Sequence, residues 1–118
     1  MTNEQFQEIL GEILTDISGA LEIQKGHYAF GEDRLANFKR AGLMLNVTPA
    51  KALMSSVAKE DTAILDYIEL LGEGKLMDVS RWKSSIVEAI TYRILLLALV
   101  TEIHDVVKAQ KEGGKNEN

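Results

Sequence analysis

Seven consecutive apolar residues, "ILLLALV" from Ile94 to Val100, constrain this chain more than any other feature. Trp82, Ile86, Ile90 and Ile94 lead into the run at helical spacing, so it belongs to a helix that is apolar almost all round. A helix of that kind cannot sit on the outside of a small bundle. It is expected at the centre of the domain or in a subunit interface. The run is also far short of the roughly 20 residues needed to cross a bilayer, so no membrane partner is expected. Three other helices of the length available here would leave apolar surface around it uncovered, which leads to the expectation of a homodimer.

The rest of the 118 residues agrees with helices. A single proline and a 46% hydrophobic content, with many Leu, Ile and Ala, suit an all-α chain better than a β domain. The expected architecture is a four-helix bundle-like domain over residues 1–110, ending in a long apolar C-terminal helix. Helix 1 is predicted over about residues 3–24, with Phe6, Ile9, Leu10, Ile13, Leu14, Ile17 and Leu21 on one stripe and Gly26 as its stop. Helix 2 is predicted over about 33–46, capped by Asp33, with Leu35, Phe38, Ala41 and Leu45 facing inward. "TPAKAL" places Thr48 as N-cap and Pro49 in the first helical position, and helix 3 follows to about Leu71. "GEGK" stops it, and Asp78 or Ser80 starts the last helix, predicted to end near Ala109. The tail 111–118, "KEGGKNEN", has too little apolar content to offset its ordering entropy and is expected to be disordered.

Composition removes several function classes. With no cysteine there is no disulfide framework, thiolate metal site or cysteine nucleophile. A net charge of -5 argues against a nucleic-acid partner, whose phosphates need Lys and Arg. The N-terminus lacks the basic and apolar regions of a signal peptide, so a cytoplasmic protein is expected.

Among candidate sites, Glu4, Glu8, Glu12 and Asp16 form a ladder with helical spacing that could present oxygen ligands to a metal. The ladder is centred about 150° from the apolar stripe of the same helix, which makes it a solvated face. His27 and His104 have no second nitrogen ligand at a useful spacing, and His104 reads as a surface residue. Asp61 and Arg93 each fall within an apolar arc, and a structural pairing between them is preferred to a functional role. Ser84, Glu88 and Thr91 lie along one line of the last helix. Glu88 is there either as a metal ligand or as a satisfied interior acid.

The stretch "KGHYAFGEDRLANFKRA" from Lys25 to Ala41 is richer than a connection requires. Arg34 and Asn37 share one face at the start of helix 2, where backbone N–H groups and the helix dipole attract anions, and Lys25 adds charge. Two readings remain open. In one, Lys25, Arg34 and Asn37 hold a phosphorylated ligand against Tyr28; in the other, Arg34 pairs with a nearby glutamate and the aromatics pin the loop to the core.

Lys25, Tyr28, "DRLANFKRA", "TPAKAL", Lys59, "ILDYI", Trp82 and a Tyr followed by "ILLLALV" together resemble a group of small phage-encoded helical proteins. These in turn are similar to the all-α nucleoside triphosphate pyrophosphatases of the MazG-like class. The likeness covers about residues 25–102. Where the phage group has Lys-His, this chain has Lys59-Glu60. Where the group has a Glu-Lys-Ile-x-Asp segment, this chain has "SSIVE", in which Glu88 keeps a carboxylate while Ser84 and Ser85 replace a charged pair. The resemblance implies a nucleotide or similar phosphorylated small molecule bound near Lys25, Tyr28, Arg34, Asn37 and Lys59. It also implies magnesium held by acids that include Glu88, and pyrophosphatase activity weakened or lost. A second expectation, of a different class, is a non-enzymatic phage protein that binds a host protein through its acidic surface.

Overall fold

The computed structural model describes the backbone of residues 1–27 and 33–116, and the side chains of 1–23 and 33–114. Among the described residues four helices follow one another: α1 (Asn3–His27), α2 (Ala36–Leu45), α3 (Pro49–Gly72) and α4 (Val79–Asn116). No strand occurs among the described residues, so the chain is all-α. α1 runs past Gly26 to His27, and α4 continues through Ala109 to Asn116, into the segment expected as a tail.

Short-range chemistry accounts for the helix ends. The Thr48 hydroxyl accepts from the Lys51 N–H (3.2 Å) and Pro49 occupies the first helical position, so α3 starts where the sequence indicates. It stops at "GEGK" in a Schellman motif: the Lys75 N–H donates to Leu70, the Gly74 N–H donates to Leu71, and Gly74 takes φ 77°. The same device closes α2, with the Asn46 N–H on Leu43, the Val47 N–H on Gly42, and Asn46 at φ 55°. Asp78 opens α4, its carboxylate accepting from Ser80 N–H and its carbonyl from Arg81 N–H.

The start of α2 differs from the expected one. Asp33 does not cap a helix directly; its carboxylate accepts from the Leu35 N–H (3.0 Å) and its carbonyl from the Ala36 N–H (3.2 Å). These bonds make a local turn, a conformation that Asp side chains favour over helix, and delay the helix to Ala36. Leu45, expected to face inward, is 64% exposed at the far end of α2, where the chain turns away.

α3 and α4 form an antiparallel pair, tied by Asp61 to Arg93 and by Tyr67 to Ser85 and Trp82. The Asp61–Arg93 pair is made at 2.6 Å, as the sequence suggests. Both side chains are more than 40% exposed, so the pair is worth no more than about 1 kcal/mol. α2 packs on α3, and α1 packs on α4. α4 thus lies in the middle of an open array rather than inside a closed bundle. Leu35, Phe38, Leu53, Val57, Leu95 and Leu99 make the core where α2, α3 and α4 meet.

The array is elongated. Its radius of gyration is 18.5 Å, against about 13.5 Å for a compact domain of this length. Of the α1 stripe only Ile17 is buried, while Phe6, Ile9, Leu10 and Leu14 are exposed. The "ILLLALV" run buries Leu95 and Leu99 but exposes Ile94, Leu97 and Val100.

Thr91 is fully buried beside this core, and its hydroxyl has no hydrogen-bond partner among the described residues. An unpaired buried hydroxyl carries a desolvation cost with nothing to offset it. Thr91→Val keeps the shape and removes that cost, so it should raise the stability measured by urea unfolding by about 1 kcal/mol. A loss of that size would show that the hydroxyl has a partner after all.

Candidate functional site

The residues singled out in the sequence reach different places. Lys25 and Tyr28 lie outside the residues whose side chains are described. Arg34 is exposed just before α2, and its guanidinium donates to the Leu21 carbonyl at 2.6 Å. Asn37 is half-buried in the first turn of α2, and Lys59 is exposed on α3. Glu88 is half-buried and lines a groove between α1 and α4.

The first turn of α2 has few donors left for an anion. The N–H groups of Leu35 and Ala36 are held by Asp33, and those of Phe38 and Lys39 by the Leu35 carbonyl. Asp33 also brings a negative charge to the turn, which Lys39 balances at 2.7 Å. Lys39 reaches Glu102 of α4 as well, so it clips the start of α2 to the middle of α4. Its hydrogen bond to Asp33, and then that to Glu102, raises the pKa of the Lys39 ammonium. The same bond from Lys39, with that from the Leu35 N–H, lowers the pKa of the Asp33 carboxyl. Both groups therefore remain charged throughout the neutral range.

The α1–α4 groove has a volume of about 560 Å³. Gly19, Ala20, Ile23 and Val87 give it an apolar floor; Asp16, Lys83, Ser84 and Glu88 give it polar walls. Small residues at 19 and 20 are what open it, since no side chain there fills the space between the helices. Lys83 bonds Glu12 at 3.0 Å and Asp16 at 3.1 Å, and these bonds, that to Glu12 first, raise its pKa. The lower end of the acidic ladder is thus engaged with α4, whereas Glu4 and Glu8 remain exposed.

Lys83 was not among the residues the sequence pointed to. A signal existed: the ladder ends at Asp16 with no cation within a turn on its own helix, so balancing it requires one from elsewhere. Among the described residues no group of three or more His, Asp or Glu side chains is placed to hold a metal ion. The groove offers Glu88 and Asp16 as carboxylates from two helices, and Asp16 is already shared with Lys83. Compared with protein-family models, curated proteins and solved structures, the chain matches none. No helix among the described residues is long and apolar enough to cross a membrane.

Proposed function

We propose that this chain binds a nucleotide or a similar phosphorylated small molecule, as a phage-type MazG-like helical protein acting in the host cytoplasm, with pyrophosphatase activity weak or lost. The observation that carries the reading is where the α1–α4 groove lies. Ile23 lines it, two residues before Lys25, and Arg34 bonds the Leu21 carbonyl about half a turn earlier on the same helix. Both ends of the stretch from Lys25 to Arg34 are therefore tied to the last turns of α1, the helix that forms one wall of the groove containing Glu88.

In this reading Lys25 and Arg34 supply positive charge to the phosphates, Tyr28 is a wall and Asn37 orients the ligand, while Lys59, on α3, stands apart from the groove and takes no part. Magnesium enters with the phosphates, and Glu88 is its protein ligand. Such an ion commonly uses one or two carboxylates together with substrate oxygens, so a complete protein cage is not required. With so few acids in the groove, binding is better provided for than hydrolysis.

The test is calorimetric titration with nucleoside mono-, di- and triphosphates, each with and without magnesium. Wild-type protein should bind at least one of them, more tightly with magnesium. Glu88→Gln, nearly the same in shape, should weaken the magnesium-dependent binding about tenfold, a step of about 1.4 kcal/mol. No binding at millimolar nucleotide, or binding that Glu88→Gln leaves unchanged, would refute the assignment.

A further inference from the structure

The two ends of this molecule carry apolar helix surface that none of the described residues covers. α1 and α4 run in the same direction: Lys83, near the start of α4, meets Glu12 and Asp16, and Leu21, further along α1, packs on the cluster that holds Leu95 and Leu99. Because α4 starts only at Val79, the first turns of α1 project beyond it, exposing Phe6, Ile9 and Leu10. At the opposite end α4 continues past Glu102, which Lys39 holds, and exposes Ile103, Val106 and Val107. Each overhang offers the other an apolar helix surface to pack on. They are too far apart to meet within one chain, which extends 66 Å.

The total surface of the chain exceeds that of a compact one by an amount of the size that dimers bury. The chain exposes 8849 Å², where a folded chain of 13.1 kDa exposes about 6,400 Å². The excess is about 2,500 Å². Obligate homodimers bury roughly 1,000–2,500 Å² on each chain.

We infer that the occupant is a second copy, related by a two-fold axis across α4, so that the first turns of α1 of each copy lie along the last turns of α4 of the other. A two-fold axis reverses the direction of the second copy, and that reversal is what sets an α1 overhang beside an α4 overhang. It does so twice, once at each end, so the assembly closes on itself without leaving a free apolar end. A third chain has nothing to add to. The inference is independent of the groove and its ligand.

The test uses the full chain in light scattering and sedimentation. Wild-type protein should have twice the 13.1 kDa chain mass at concentrations on the order of 10 µM. Leu10→Glu and Ile103→Glu replace residues that are 39% and 47% exposed, so each chain still folds, which circular dichroism checks. Each should weaken the dimer at least about a hundredfold, because a charge is forced into an apolar contact. Leu76→Glu, at a residue 84% exposed in the α3–α4 turn, should leave the mass unchanged. Since the chain has no cysteine, single cysteines report the pairing directly. A mixture of Leu10→Cys and Ile103→Cys chains should cross-link on oxidation faster than either variant alone. A monomer at these concentrations, a dimer that either glutamate leaves at wild-type affinity, or single variants that cross-link as fast as the mixture would overturn the inference.

Discussion

Truncating Leu53 to alanine will cost about 2–5 kcal/mol of folding stability, among the largest losses available to a single substitution in this chain. Leu53 is completely buried on α3 and belongs to the cluster with Phe38, Val57, Leu95 and Leu99. Removing its branched end loses the transfer free energy of the buried methyl groups and leaves a void. Four of its neighbours are on three different segments, so no single one can move in to fill the space without leaving another contact. Urea unfolding measures the loss. Leu65→Ala is the matched control: it removes the same atoms from a side chain that is 62% exposed, and should change stability by no more than about 0.5 kcal/mol. Equal losses at the two positions would mean that the core is not where α2, α3 and α4 meet.

Gly42→Ala should be destabilising by about 1–3 kcal/mol, although alanine is ordinarily the better helix former. A Cβ at residue 42 would stand 2.8 Å from the Val47 carbonyl oxygen, 3.1 Å from Pro49 N and 3.2 Å from Thr48 C. All three are backbone atoms and cannot rotate aside. They belong to the turn that the Val47 N–H closes on the Gly42 carbonyl, so relieving the clash means moving α3 away from α2. Gly11 supplies the contrast. A Cβ there meets nothing within 4 Å, and Gly11→Ala should stabilise by about 0.4–1 kcal/mol. Opposite signs for the same chemical change would locate the effect in the α2–α3 approach. A neutral Gly42→Ala would mean that α3 does not approach α2 so closely.

Features governed by neighbours in sequence were legible before the structure. Thr48 and Pro49 start α3, "GEGK" stops it and Asp78 starts α4, because caps and left-handed turns depend on a few consecutive residues. The Asp61–Arg93 pair was legible too, since each charge interrupts an apolar arc and needs an opposite charge nearby. The start of α2 was not. "DRLAN" satisfies helix rules, and whether Asp33 caps a helix or closes a turn depends on its pairing with Lys39, which Glu102 of α4 holds in turn. The α1 stripe is legible as apolar but not as uncovered, because periodicity says which face is apolar and not what lies against it. Lys83 is not legible for a related reason: Glu12, its partner, is 71 residues away in the sequence.

Of the candidate site, Glu88 was legible as a carboxylate on a line of polar residues in an apolar helix, and it does line a groove. The groove itself was not legible. It exists because Gly19 and Ala20 of α1 pass beside Val87 and Glu88 of α4, a register that only the packed helices define.

The most direct measurement of the proposed function is a nitrogen-edited NMR titration of the labelled chain with a magnesium nucleoside triphosphate, followed residue by residue. Saturable shifts are expected only at the groove and the stretch that follows α1, at the amides of Asp16, Ala20, Ile23, Lys83, Ser84 and Glu88 and from Lys25 to Asn37. An absence of saturable shifts at millimolar nucleotide, or shifts on α3 and the end of α4 with the α1–α4 groove untouched, would contradict it.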